Sequence, residues 1–280
     1  MKSKLFPDQI IPLLLTGVVF AVVTVILFAE IRTLNGLTVN RPPVHLQLRL
    51  ADILVGATIY LKTSIDFAIF IGRLMSKYEG WKNRIMIEIG TALGNAAGTF
   101  LILLIWDFFR EVPILMAIMI MLAALVLLRM AEDGLDHVKD EAGKYKISFG
   151  GFEIYFEKVL SRFNRFVAPV LNKLIPSLVA KDDNKKGLKA LFIMSMTIPF
   201  ILGLDDFAGY LPLFNIINVF GFATGVFLGH MILNIFLFLS PGKTIRIVKN
   251  PIISFFGSLA FVGLALWGVI EAVKLLLLSQ

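Results

Sequence analysis

Three aspartates stand where a carboxylate is costly. Asp66 lies in "TSIDFAIF" (63–70), and Asp205 with Asp206 in "ILGLDDFAGYLPLFN" (201–215), all within or at the edge of apolar stretches. An aspartate at the centre of a membrane helix costs about 2.5–3.5 kcal/mol even on insertion scales, so such residues mark ion sites and ion pathways. Lys62 shares the stretch of Asp66, and the apolar stretches that follow each aspartate motif carry Thr91, Asn95 and His230. Carboxylate, amide and hydroxyl oxygens suit hard divalent cations such as manganese, magnesium or calcium, and one imidazole serves a borderline ion. The expected metal set is Asp66, Asp205, Asp206, Asn95, Thr91 and His230, with Lys62 in coupling or charge balance. Gly203 and Pro212 are expected to break the helix around the aspartate pair and free backbone carbonyls as further ligands. A structural account competes with this one. Lys62 and Asp66, four apart on one helix face, would only neutralise each other, Asp205 and Asp206 would be wet, and His230 would be a hydrogen-bonded packing residue.

The elements that must position these residues are membrane helices. Of the 280 residues 58% are hydrophobic and 17% charged, and the mean hydropathy is +0.84, far from the balance of a soluble domain. A crossing takes about 20 apolar residues, and seven such runs are readable at 10–29, 50–72, 85–106, 112–128, 190–209, 214–239 and 252–273. Twenty-one of the 27 Lys and Arg residues fall on one side of the seven-span arrangement, mostly in 73–84, 129–189 and 243–249. That asymmetry predicts a cytoplasmic N-terminus and an external C-terminus in a cell, or inner, membrane. The basic balance is thereby explained by orientation, and no nucleic-acid partner is expected.

The chain also resembles itself. "TSIDFAIF" and "LDDFAGY" (204–210) share Asp-Phe-Ala, while "GTALGNAAG" (90–98) and "GFATGVFLG" (221–229) each space three glycines four apart. Three spans per copy would turn the second copy upside down. The expected architecture is all-α: an extra N-terminal helix with its external loop (1–49), a three-helix repeat (50–130), a cytoplasmic linker (131–188) and an inverted three-helix repeat (189–280). Within the linker, Phe152, Tyr155, Phe156, Val159, Leu160, Phe163, Phe166 and Val167 recur at helical spacing opposite Glu153, Lys158, Arg162 and Arg165. This predicts an amphipathic helix on the cytoplasmic membrane surface.

Several chemistries are excluded. With no cysteine there are no disulfides, thiolate metal sites or thiol redox steps. "SPGKT" (240–244) lacks the earlier glycine of a phosphate-binding loop and reads as a basic turn. No H-E-x-x-H motif occurs and the three histidines lie far apart, so no enzyme activity and no cofactor are expected.

"GLDDFAGYLPLF" (203–214) resembles the Gly-Gly-Asp-Asn-…-Tyr-x-Pro-Leu-Phe signature of the cadmium-resistance transporters in the LysE superfamily of membrane exporters. "TSIDFAIF" is similar to the Asp-bearing segment near the start of that family. The resemblance implies inverted three-helix halves over about Leu50–Val273, with Asp66 and Asp205 as the motif aspartates, Asp206 in place of the family's Asn, and Tyr210 and Pro212 matching the tail. It implies export, with a small organic cation or basic amino acid as the other substrate class. The thiol-reducing branch of the superfamily needs cysteines and is excluded. The expectation is a secondary transporter that exports a divalent metal cation by antiport, with the cation and the lipid bilayer as partners and a homodimer compatible with it. The alternative of a different class is a non-transporting scaffold or chaperone.

Overall fold

The computed structural model describes residues 10–37, 43–78, 80–140, 142–174, 187–208, 213–214 and 217–278. Side chains are not described at Asp66, 170–174, Ile198 and 201–208 within those ranges. Among the described residues the chain is helical, with ten helices: α1 Ile11–Leu37, α2 Leu50–Thr63, α3 Ile65–Lys77, α4 Trp81–Phe109, α5 Pro113–Asp136, α6 Phe152–Leu174, α7 Leu188–Ala208, α8 Val219–Leu239, α9 Pro241–Val248 and α10 Pro251–Leu278. Five of them (α1, α4, α5, α8 and α10) are long and apolar enough to cross a membrane, and a sixth crossing results if the bent pair α2 and α3 counts as one. This is the pattern of a multi-pass membrane protein. In α7 the apolar stretch among the described residues, Leu188–Thr197, is shorter than a crossing.

The run expected as one span at 50–72 is two helices. α2 ends at Thr63, and the axis turns by 66° before Phe67. Thr63 and Ser64 account for the break. The Thr63 hydroxyl and the Ser64 amide both bond the Tyr60 carbonyl, and Ser64 takes φ −81°, ψ 28°, outside the helical well. Side chains that return a bond to the backbone compete with the ladder in this way. Lys62 and Asp66 therefore lie on opposite sides of a break, and their expected pairing falls on an Asp66 side chain outside the described residues.

Three further expectations change. α7 continues through Gly203 to Ala208, so no helix break occurs at that glycine; Pro212 lies outside the described residues. The connection expected over 73–84 is mostly helix, because α3 runs to Lys77 and α4 starts at Trp81. "SPGKT" is the start of α9, with the Thr244 hydroxyl near the Phe236 and Ser240 carbonyls. The turn "DDNKK" at 182–186 lies outside the described residues.

The helices gather into two compact units. The first unit holds α1 to α4, most of α7, and α8. Its glycine rows make the closest contacts. A Cβ at Gly225 of α8 would overlap the Ile53 carbonyl of α2, and one at Gly56 of α2 the Phe222 carbonyl of α8. In the other row, a Cβ at Gly94 of α4 would overlap the Met196 carbonyl of α7, and one at Gly90 would meet Ser195 and the Phe192 carbonyl. Each row thus lets two helix backbones touch where any side chain would hold them apart.

The second unit holds α5, α6 and α10. Ala124, Leu127, Ala131 and Leu135 of α5 pack with Phe255, Phe261 and Ala265 of α10, and Leu160 of α6 joins them. α6 doubles back along the end of α5: Asn164 donates to the Leu128 carbonyl and the Glu132 carboxylate, and Lys139, just beyond α5, pairs with Glu157. The apolar stripe expected on α6 is split. Leu160 is buried, whereas Tyr155, Val159, Phe163 and Phe166 are exposed, and Glu153, expected on the solvated face, is buried with its carboxylate on the Phe149 amide.

Candidate functional site

The first unit buries an unusual number of polar side chains in one place. On α4, Glu88, Thr91 and Asn95 follow at i, i+3 and i+7 and share a helix face; all three are buried. On α8, His230 and Asn234 lie one turn apart and face them, also buried. α2 adds Tyr60 and α1 adds Thr16. Four helices converge on this cluster.

Its centre is the Asn234 amide. Asn234 Nδ2 lies 2.8 Å from Glu88 Oε2, 2.9 Å from His230 Nε2 and 3.4 Å from Thr91 Oγ1. Two hydrogens face three acceptors, so the short contacts to Glu88 and His230 take them. With Nε2 accepting, the neutral imidazole carries its proton on Nδ1, which donates to the Tyr60 hydroxyl at 2.7 Å. Both ring nitrogens are engaged. Phe67 and Tyr60 pack against the ring, at centroid distances of 5.4 and 5.8 Å.

Glu88 is 1% exposed. Its hydrogen-bond partners are Asn234 and Thr16, and among the described residues no Lys or Arg nitrogen lies within 4.0 Å of it. A buried carboxylate of this kind is tolerated only when something neutralises it. Beside it is a cavity of about 20 Å³ with a mostly apolar wall, bordered by Thr16, Glu88, Asn95 and His230 together with Phe20, Phe227 and Met231. That volume holds one water-sized body.

The expected site residues are thus distributed as follows. Asn95, Thr91 and His230 come together, with Asn95 and His230 lining the cavity. Thr91 does not line it: its hydroxyl donates to the Glu88 carbonyl at 3.0 Å and is in reach of Asn234. Lys62, half-buried, is in the last turn of α2. Asp66 is the second residue of α3, and Asp205 and Asp206 are in the last turn of α7, with side chains outside the described residues. Among the described residues no group of three or more His, Asp or Glu side chains forms a metal cluster.

Glu88 and Asn234 are polar residues inside apolar runs, readable from the sequence together with the helical spacing of Glu88, Thr91 and Asn95. Tyr60 and Thr16 carry no such signal. Threonines in α1 routinely return their hydroxyls to the backbone, as Thr16, Thr24 and Thr33 all do, and nothing in their spacing sets Thr16 apart.

Among the described residues, the fold and this cluster define a helical protein with several helices fit to cross a membrane and a buried polar cluster in its first unit. Compared with known proteins, the chain matches no family model, no curated protein and no solved structure.

Proposed function

We propose that this protein is a secondary transporter that moves a divalent metal cation out across the cell membrane in exchange for another ion. The observation that carries the reading is Glu88: a carboxylate 1% exposed, without an ion-pair partner among the described residues, held by Asn234 beside a cavity. A purely structural residue at this depth would be cheaper as an apolar side chain, so a carboxyl group kept there is best explained by a cation that visits it. Asp66 with Asp205 or Asp206 would add the second negative charge that a divalent ion needs, as the sequence motifs suggest.

The reciprocal glycine contacts support the inverted repeat. The second helix of each proposed half, α4 or α8, touches through its glycine row the first helix of the other half, α7 or α2. An exchange of that kind is what two inverted copies would produce. The likeness to the LysE superfamily stays a likeness of short motifs, and the proposal does not depend on it.

In cells that lack their own manganese exporters, expression of the wild-type chain should lower cellular manganese and raise tolerance to it. Glu88→Gln keeps size and removes the charge, so this variant should reach the membrane at normal levels and give no protection. Equal protection by both forms would contradict the role of Glu88. A scaffold would instead lose folding in Glu88→Gln and leave metal content unchanged in the wild type.

A further inference from the structure

His230 touches both arms of the bent pair α2 and α3. We propose that it is a positioning residue, a latch that fixes the angle between these helices. In the transporter reading, on which this second step rests, that angle sets where Asp66 of α3 stands relative to Glu88 of α4.

The bend has no lock of its own. Ser64 alone joins the two helices: its amide closes α2 on the Tyr60 carbonyl, and its carbonyl opens α3 by accepting from the Ala68 amide, each at 2.9 Å. The angle of 66° therefore depends on the two backbone dihedrals of a residue outside the helical well. The Ser64 hydroxyl is buried and bonds nothing among the described residues, so it does not brace the junction.

The brace comes from α8. Before the break, His230 Nδ1 donates to the Tyr60 hydroxyl at 2.7 Å, and the two rings meet edge to face at 5.8 Å. After the break, Phe67 packs on the same imidazole at 5.4 Å. Tyr60, Phe67 and His230 are all buried. Gly229, the residue before His230, admits the tyrosine: a Cβ there would lie 3.0 Å from Tyr60 Cδ1 and from the Ala57 carbonyl oxygen.

The imidazole is itself held. Its Nε2 accepts from Asn234 Nδ2 at 2.9 Å, and the same amide donates to Glu88 at 2.8 Å. One asparagine thus orients both the latch and the buried carboxyl group. Glu88 carries at most one negative charge, so a divalent ion needs a second carboxylate. Asp66 directly precedes Phe67 in α3, so the contact that seats Phe67 on His230 also places the backbone of Asp66.

The test uses the full chain, whose lack of cysteine permits spin labels at Leu54→Cys on α2 and Arg73→Cys on α3, both exposed positions. Pulsed electron resonance should give one narrow distance across the bend. Tyr60→Phe, which removes only the hydroxyl, and Phe67→Leu, which removes the ring, should each broaden or shift it. In proteoliposomes the same substitutions without labels should raise the KM for manganese about tenfold, as loss of a partner that orients a metal ligand does, with the maximal rate per folded protein largely kept. Melting temperatures identify a variant that is simply misfolded, and Tyr60→Phe, the milder change, then decides. An unchanged distance in folded Tyr60→Phe would overturn the latch. A changed distance with KM unaltered and only the maximal rate lowered, as a merely structural role would give, would overturn the positioning of Asp66. Changed distances in a chain whose wild type moves no manganese would uphold the latch and overturn the transporter reading alone.

Discussion

Asn234 decides more than any other side chain in the first unit, because its amide reaches Glu88, His230 and Thr91 at once. Its own Oδ1 is buried without a partner, so the side chain is kept for what its nitrogen holds. Asn234→Ala should destabilise the protein by about 1–3 kcal/mol for each buried group left unpaired, read as a lower midpoint of thermal unfolding in detergent. An unchanged midpoint would contradict the network. The Glu88, Thr91 and Asn95 face was legible in the sequence because a helix repeats every 3.6 residues. The partners Tyr60 and Thr16 were not, since 170 residues separate Tyr60 from His230 and no local rule brings them together. The sequence also made His230 a candidate ligand, and in the structure both of its ring nitrogens lie within hydrogen-bond distance of other side chains, Tyr60 and Asn234.

Helices in the first unit are spaced by glycine. A methyl group at Gly225 or Gly94 would run into a backbone carbonyl, which cannot rotate away. Gly225→Ala and Gly94→Ala should therefore each cost about 1–3 kcal/mol. Gly263→Ala on α10, where a Cβ meets nothing within 4 Å, should be neutral or gain up to about 1 kcal/mol from helix propensity. Unfolding of the three variants side by side checks the contrast, and equal effects would refute it. The close spacing was readable from the glycine rows, but which helix each row meets was not. The break at Ser64 was also hidden, because hydropathy over 50–72 is continuous while Thr63 bonds back to Tyr60.

In the second unit, the segment after α5 is tied to α6 by Glu157. Burial alone would raise this carboxyl, but hydrogen bonds from Lys139 and Tyr145 and the charge of the lysine outweigh it, and the net shift is downward. Burial would lower Lys139, yet Glu157 and Asp136 outweigh that and raise it. A depressed carboxylate contributes stability above its unfolded value, about 4.3, and loses it as pH falls through the folded one; the raised lysine contributes below about 10.4 and loses it as pH rises through its folded value. The tie should be intact at neutral pH and released by acid. Hydrogen exchange of the 143–149 amides, corrected for intrinsic rates, should rise below about pH 4 in the wild type. In Glu157→Gln it should be raised at neutral pH already, and a pH-independent wild type would contradict the assignment.

At the scale of the molecule, the two units regroup the chain: the first two helices of both proposed halves fall in one unit and the third helices, α5 and α10, in the other. A division read along the sequence would not give that grouping, because contact between halves outweighs contact within them. Orientation rests on the basic residues, and the absence of cysteine makes it accessible to single introduced thiols. Glu111→Cys should react with an impermeant reagent from outside and Lys144→Cys only after permeabilisation; both positions are exposed. The reverse pattern would invert the topology.

Transport itself is tested most directly in sealed proteoliposomes containing only this protein, with a manganese-sensitive dye inside and an ion gradient imposed. The wild-type chain should carry manganese at a rate that saturates with concentration, and Glu88→Gln should fall to the level of protein-free vesicles. Vesicles holding folded wild-type protein that admit no more manganese than empty ones, under either a proton or a sodium gradient, would contradict the account.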